Sequence, residues 1–308
     1  MSSGGSKKAI IAALLANLGI AIAKFVGFLI TGASALLAES IHSVADTGNQ
    51  VLLLFGGHRA ARVADEEHQF GYGRERYFWS FVVSIVLFML GGVFAVYEGV
   101  EKVRHPHEIE SAGWALGILL VAMVLEGLSF RTAVREARPL KGSAGWFRFI
   151  RRTKSPELPV VLLEDFGALI GLVLAMAAIG LSIATGNNRW DGFGTLLIGF
   201  LLVVIAIVLA IEMKGLLIGE AADPDVQAII RSTIDGSEPV RRLLHLRTEH
   251  LGPDELLVAA KVEFDPDLTM RRLADAIDEV EANVRTAVPE ARRLFIEPDV
   301  HRPQGTEP

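Results

Sequence analysis

Apolar residues come in long unbroken runs over the first two thirds of this chain and in short alternating ones after residue 220. A helix needs about 20 consecutive apolar residues to cross roughly 30 Å of hydrocarbon. Six segments reach that length: 9–30, 33–57, 77–100, 112–130, 158–184 and 193–217. They predict a polytopic α-helical membrane protein whose six transmembrane helices form a domain over residues 1–219. Only Thr31 and Gly32 separate the first two spans, so these form a tight hairpin. Between the fourth and fifth, residues 131–156 are basic and carry Trp146, Phe147 and Phe149 beside Arg151 and Arg152. That pattern fits a segment lying along a membrane surface or, equally, a basic linker.

The alternating part has a different period. Residues 225–235 form a short amphipathic helix opened by Asp223-Pro224, and 243–249 and 255–264 read as strands on either side of Gly252-Pro253-Asp254. In the second strand Leu256, Val258, Ala260, Val262 and Phe264 alternate with Lys261 and Glu263, as in a half-buried sheet. Thr269 caps a helix with Leu273, Ile277, Val280, Val284 and Val288 at helical spacing, and 293–297 supplies a last strand. The order α-β-β-α-β predicts a C-terminal cytoplasmic α+β domain of ferredoxin-like type over residues 220–302, with 303–308 as a disordered tail.

Charge follows the same division. From Glu220 onwards there are 19 acids against 11 bases, so the net charge of −6 resides in the tail domain and argues against a nucleic-acid partner. Before the first span lie a few Ser and Gly residues with Lys7 and Lys8, and the span reads as retained rather than as a cleaved signal. With the N-terminus inside, the inner segments hold 14 lysines and arginines and the outer loops 3. The positive-inside rule then places both termini in the cytoplasm, for a bacterial inner or plasma membrane. There is no cysteine, so any metal would be held by nitrogen and oxygen.

Ionisable groups inside apolar spans cost at least about 2.5–3.5 kcal/mol each at mid-bilayer, and so mark function by default. The second span carries Glu39, His42, Asp46 and Asn49 at spacings that put all four on one stripe. His42 and Asp46, one turn apart, can offer an imidazole nitrogen and a carboxylate to one divalent ion, or can join helices through a His–Asp hydrogen bond. The fifth span supplies Glu164 and Asp165, adjacent acids that call for a cation, a proton or both. Lys24 in the first span could neutralise a carboxylate or simply snorkel, and Glu126 in the fourth is a proton-path group or a partner for a polar helix face.

These residues resemble the cation diffusion facilitator family of metal/proton antiporters over nearly the whole chain. The resemblance rests on His42-Ser43-Val44-Ala45-Asp46 in the second span, Phe70-Gly71-Tyr72-Gly73-Arg74 in the inner loop, the fifth-span aspartate and the α-β-β-α-β tail. It implies a homodimer in the lipid bilayer that exchanges Zn²⁺ or a related ion for protons. His42 and Asp46 match two ligands of the family's transport site and Asp165 a third. Val161 stands where the family has a fourth, so Glu164 or a water completes the shell, or there are three protein ligands. A site of one His with carboxylates suits Zn²⁺ and also tolerates Mn²⁺, Fe²⁺ or Co²⁺. The family's inner-loop site is matched in part by Asp65 and His68, with Tyr72 where another histidine can occur; a solvated acidic loop is the alternative. In the tail, Lys261 occupies a strand expected to offer a ligand, and His245, His250, Glu297, Asp299 and His301 are candidates that surface placement would equally explain. His105 and His107 read as solvated.

The expectation is therefore a divalent metal cation efflux transporter working by alternating access and not an enzyme, since no His-Glu-x-x-His motif is present. A metal-binding sensor or scaffold without transport is the alternative.

Overall fold

The computed structural model describes residues 3–106, 112–143 and 145–301. His107 and the tail 303–308 lie outside them. The chain divides into two units: Met1–Arg59 with Glu75–Lys214, and Ala60–Arg74 with Gly215–Pro308.

The first unit is a bundle of long helices. In chain order these are α1 (Ser3–Thr31), α2 (Ser34–Ala60), α3 (Glu75–Val86), a π-helical segment (Leu87–Val93), α4 (Phe94–Arg104), α5 (Ala112–Lys141), the short α6 (Trp146–Arg152), α7 (Glu157–Thr185) and α8 (Arg189–Ile218). Among the described residues four helices are long and apolar enough to cross a membrane: the continuous Glu75–Arg104, then α5, α7 and α8. The first two of the six expected spans fall short of that measure over the described residues. In α1 the apolar stretch is Asn17–Thr31, and α2 is diluted by its own polar stripe.

Between α1 and α2 the chain reverses at Gly32, whose φ of 67° lies in the left-handed region that a side chain disfavours. The Gly32 amide donates to Phe28 O at 2.7 Å, and Thr31 Oγ1 bridges the corner by donating to Gly27 O and accepting from the Ala33 amide. These bonds satisfy backbone groups that a helix end leaves open. Along α4 and α8 the helices meet backbone to backbone. A Cβ on Gly99 would sit 2.7 Å from Leu196 N, and one on Gly199 would sit 2.7 Å from Val96 N. Small residues at such crossings let helices approach in lipid, where packing rather than the hydrophobic effect drives association. Leu36, Val83, Leu87, Leu119, Leu172, Ile198 and Leu202 fill the core around this contact.

The segment 131–156 is largely helical rather than a plain linker. Helix α5 runs on through Arg131 to Lys141, because Thr132–Arg138 is rich in Ala and Arg, good helix formers, and Pro139 falls only in the last turn, just before the stop at Gly142 with φ 55°. Phe149 on α6 is buried against Ala133, Ala137 and Leu162 rather than placed among headgroups, whereas Trp146 and Phe147 are exposed under Lys141 and Arg151.

The second unit contains α9 (Pro224–Asp235), β1 (Val240–Gly252), β2 (Glu255–Phe264), α10 (Met270–Ala287) and β3 (Arg293–Pro298). Its sheet has the order β1-β2-β3, antiparallel between β1 and β2 and parallel between β2 and β3. The five apolar alternate residues of β2 are all buried, and Ile230, Ile234, Val280 and Val284 from the two helices cover them. Thr269 caps α10 by accepting from the Arg272 amide. Strand β1 is longer than 243–249 at both ends, because Gly252 pairs with Glu255 across the tight Pro253-Asp254 turn. Irregular register steps along it blur the alternation that marks a strand in sequence.

Candidate functional site

The polar stripe of α2 faces inward. Glu39, His42, Ser43, Asp46 and Asn49 are all buried in a helix whose neighbours are mostly apolar. His42 Nε2 lies 3.5 Å from Asp46 Oδ2, so the two side chains form a pair across one turn. Among the described residues neither ring nitrogen of His42 makes a hydrogen bond, and neither does Asp46 Oδ1. Orphaned polar atoms are costly at such depth, which makes these three the atoms of the pair open to a ligand.

On α7, Glu164 and Asp165 are buried in turn. Asn49 Nδ2 donates to Glu164 Oε1 at 2.6 Å, tying the α2 stripe to α7 one turn beyond Asp46. Ser129 Oγ on α5 donates to Asp165 Oδ2 at 3.0 Å. Each acid is thus taken up by a separate neutral donor, which suits carboxylates that would repel strongly if brought together where water is scarce. Among the described residues no three His, Asp or Glu side chains are gathered closely enough to hold one ion. The expected convergence of His42, Asp46, Asp165 and Glu164 on a single point is not seen among the described residues: His42 and Asp46 pair on α2, Glu164 and Asp165 adjoin on α7, and Asn49 links the two helices through Glu164. Ser129 escaped sequence reading; the available signal was a lone hydroxyl three residues after the intramembrane Glu126.

Lys24 does not snorkel. Its ammonium is fully buried and donates to Glu39 Oε2 at 3.1 Å and Ser43 Oγ at 2.8 Å, with Glu126 Oε1 at 3.8 Å. Glu126 is accordingly the partner of a polar helix face.

In the loop Ala60–Arg74 the partial match at Asp65 and His68 resolves into a hydrogen-bonded turn. Asp65 accepts from Tyr72 Oη at 2.6 Å and from the amides of Glu67 and His68. Arg62 lies over the Tyr72 ring, and the His68 ring lies 4.4 Å from it. Tyr72 thus fills with a hydroxyl donor the position where another ligand would stand. Its hydrogen bond, with those of the amides, holds the Asp65 carboxyl below the ordinary range, and Asp65 in return pushes the Tyr72 phenol up. A depressed carboxyl pKa means that this turn is held together above pH ~4 and loosens as pH falls through the native value. Tyr72→Phe is expected to move the Asp65 titration upward toward its ordinary position, followed by carboxyl NMR; an unmoved titration would remove Tyr72 from this role.

In the tail, Lys261 Nζ sits 3.2 Å from both Glu297 Oε1 and Asp299 Oδ2, and the two acids hold its ammonium above its usual pKa. His245 and His301 are exposed, as expected of surface residues, whereas His250 is buried, with its amide donating to Glu220 O at 2.9 Å. His105 is exposed beside Glu101.

Comparison with known proteins places both parts of the chain in one family. A family model described as the cation efflux transmembrane domain matches residues 10–218, and one described as the cation efflux protein cytoplasmic domain matches residues 222–300. The proton-coupled zinc antiporter SLC30A9, mitochondrial, of Xenopus laevis is 31% identical over 276 residues, covering 89% of this chain and 49% of the relative. Metal tolerance protein C4 of Arabidopsis thaliana is 29% identical over 86% of this chain and 59% of its own length. The manganese efflux system protein MneP of Bacillus subtilis is 20% identical over 94% and 95%. The chain spans about half the length of the zinc antiporter relative it matches. With models matching both its helical and its α+β parts, the chain is an integral membrane protein that belongs to the cation efflux family.

Proposed function

We propose that this protein is a divalent metal cation efflux transporter that exchanges Zn²⁺ for protons. The observation that carries the reading is His42, fully buried, with both ring nitrogens free of hydrogen bonds and Asp46 at 3.5 Å, on a helix tied to the acid pair of α7. In this reading His42, Asp46 and Asp165 are the ligands and Glu164 stands beside them. A small shift of α7 toward α2 would trade the neutral donors Asn49 and Ser129 for the ion.

Proton exchange follows from ligand chemistry. An imidazole binds metal only when neutral and a carboxylate only when ionised, so loading releases protons and reprotonation ejects the ion. The two halves of the site suit alternating access, in which one helix group rocks against another around a midplane position. The balance of lysine and arginine puts both termini and the α+β domain on the cytoplasmic side of a plasma-type membrane, and the active form is a homodimer. Transport rather than catalysis is favoured because every candidate base is also a ligand.

Mn²⁺ is the second reading, favoured by the excess of oxygen over nitrogen donors and consistent with the manganese efflux relative. The deciding measurement is metal-dependent proton flux in proteoliposomes across Zn²⁺, Mn²⁺, Fe²⁺ and Co²⁺. Counterflow of protons with Zn²⁺ supports the proposal, whereas binding without flux would make the protein a sensor.

A further inference from the structure

Lys24 is buried next to the polar stripe of α2 that carries the proposed ligands. From α1 its ammonium reaches two helices: α2, through Glu39 at 3.1 Å and Ser43 at 2.8 Å, and α5, through Glu126 at 3.8 Å. Lys24 and Glu39 are wholly shielded from solvent and Glu126 nearly so. The fourth wall is α7, where any side chain larger than hydrogen at Gly171 would strike Glu39 Oε1, an oxygen that has no hydrogen bond among the described residues. The cluster is therefore packed in place, and its charges are shielded from bulk solvent.

It is also continuous with both halves of the site. Ser43 follows His42 in the chain, and Glu39 lies one turn before His42 on the same stripe. Glu126 lies one turn before Ser129, which holds Asp165. One ammonium is thus shared by two carboxylates that would otherwise add their charge to the α2 and α7 acids. In a medium of low dielectric, a positive charge held close to a divalent ion repels it strongly.

We propose that Lys24 sets the affinity of the site: it is a tethered cation that draws the charge of Glu39 and Glu126 away from the metal and keeps binding weak enough for release. Lys24 is a positioning residue and touches no ion. The inference rests on the reading of His42, Asp46 and Asp165 as ligands. A transporter gains by such weakening, because an ion held too tightly by five buried acids would not leave within a working cycle.

The test compares the full chain in lipid nanodiscs, by Zn²⁺ titration against a competing chelator, with Zn²⁺ flux in proteoliposomes. Lys24→Met is expected to lower both Kd and KM at least ~10-fold while slowing kcat. Lys24→Arg, which keeps the charge, is expected to restore values within about threefold of the original. Because Lys24→Met leaves Glu39 buried without a partner, the double variant K24M/E39Q serves as the second arm. It spares the fold a lone carboxylate at Glu39, where Lys24 sits closest, and still binds Zn²⁺ more tightly, since Glu126 loses its counter-ion. A Kd that is unchanged or weaker in both Lys24→Met and the double variant overturns the inference; a mere helix tie would lower the yield of folded protein and leave Kd alone. Should the unaltered protein bind Zn²⁺ without moving it, the transport reading fails, and the Kd comparison still decides the role of Lys24.

Discussion

His42→Ala is expected to reduce Zn²⁺ flux by roughly 100-fold or more, equivalent to about 2.7 kcal/mol of lost stabilisation along the transport cycle. Removing the imidazole deletes the only nitrogen donor among the proposed ligands and leaves carboxylates, which hold Zn²⁺ less selectively. The fold should survive, because neither ring nitrogen makes a hydrogen bond that the bundle depends on. Asp46→Ala should match it in flux. The measurement is ion uptake into proteoliposomes alongside a thermal melt of the same preparation. Full activity in both variants, with the melt unchanged, would remove the α2 pair from the mechanism.

Gly99→Leu is expected to abolish the folded bundle rather than to tune it. A Cβ there meets Leu196 N at 2.7 Å and Gly192 O at 3.0 Å, both backbone atoms that cannot rotate aside. Forcing α4 and α8 apart strips packing along their whole contact, so the cost should exceed the ~1–3 kcal/mol of ordinary overpacking. Gly117→Leu on α5 is the matched control, since nothing lies within 4 Å of its added carbon. Size-exclusion profiles of the two variants in detergent compare them directly, and a monodisperse, native-like Gly99→Leu would show that the crossing is not fixed by its glycines.

The long helices were legible because a run of about 20 apolar residues has few other uses in a folded chain. Helix α2 shows where that signal fades: Glu39, His42, Asp46 and Asn49 dilute its hydropathy for the same reason that they make it chemically informative. The extension of α5 beyond Arg131 was hidden, since the run of Arg, Glu and Ala that carries it composes a solvated linker as readily as a helix. In the site, spacing along one helix disclosed the His42–Asp46 pair. Contacts between helices were out of reach, which is why Ser129 was missed and why the capture of Glu164 by Asn49 was not foreseen. The π-helical turn at Leu87–Val93 left no mark in the residue pattern either, because its extra residue per turn is absorbed where Gly91 and Gly92 pack against Leu202 and Val203 on α8.

Lys261 carries a consequence for the α+β domain. Its amine is held between Glu297, its register partner on β3, and Asp299 just past the end of that strand, so the positive charge these acids require is built into the polypeptide itself. Exchange of Lys261 for a neutral side chain would leave both acids at the strand end without their counter-charge and loosen the pairing of β2 with β3 there.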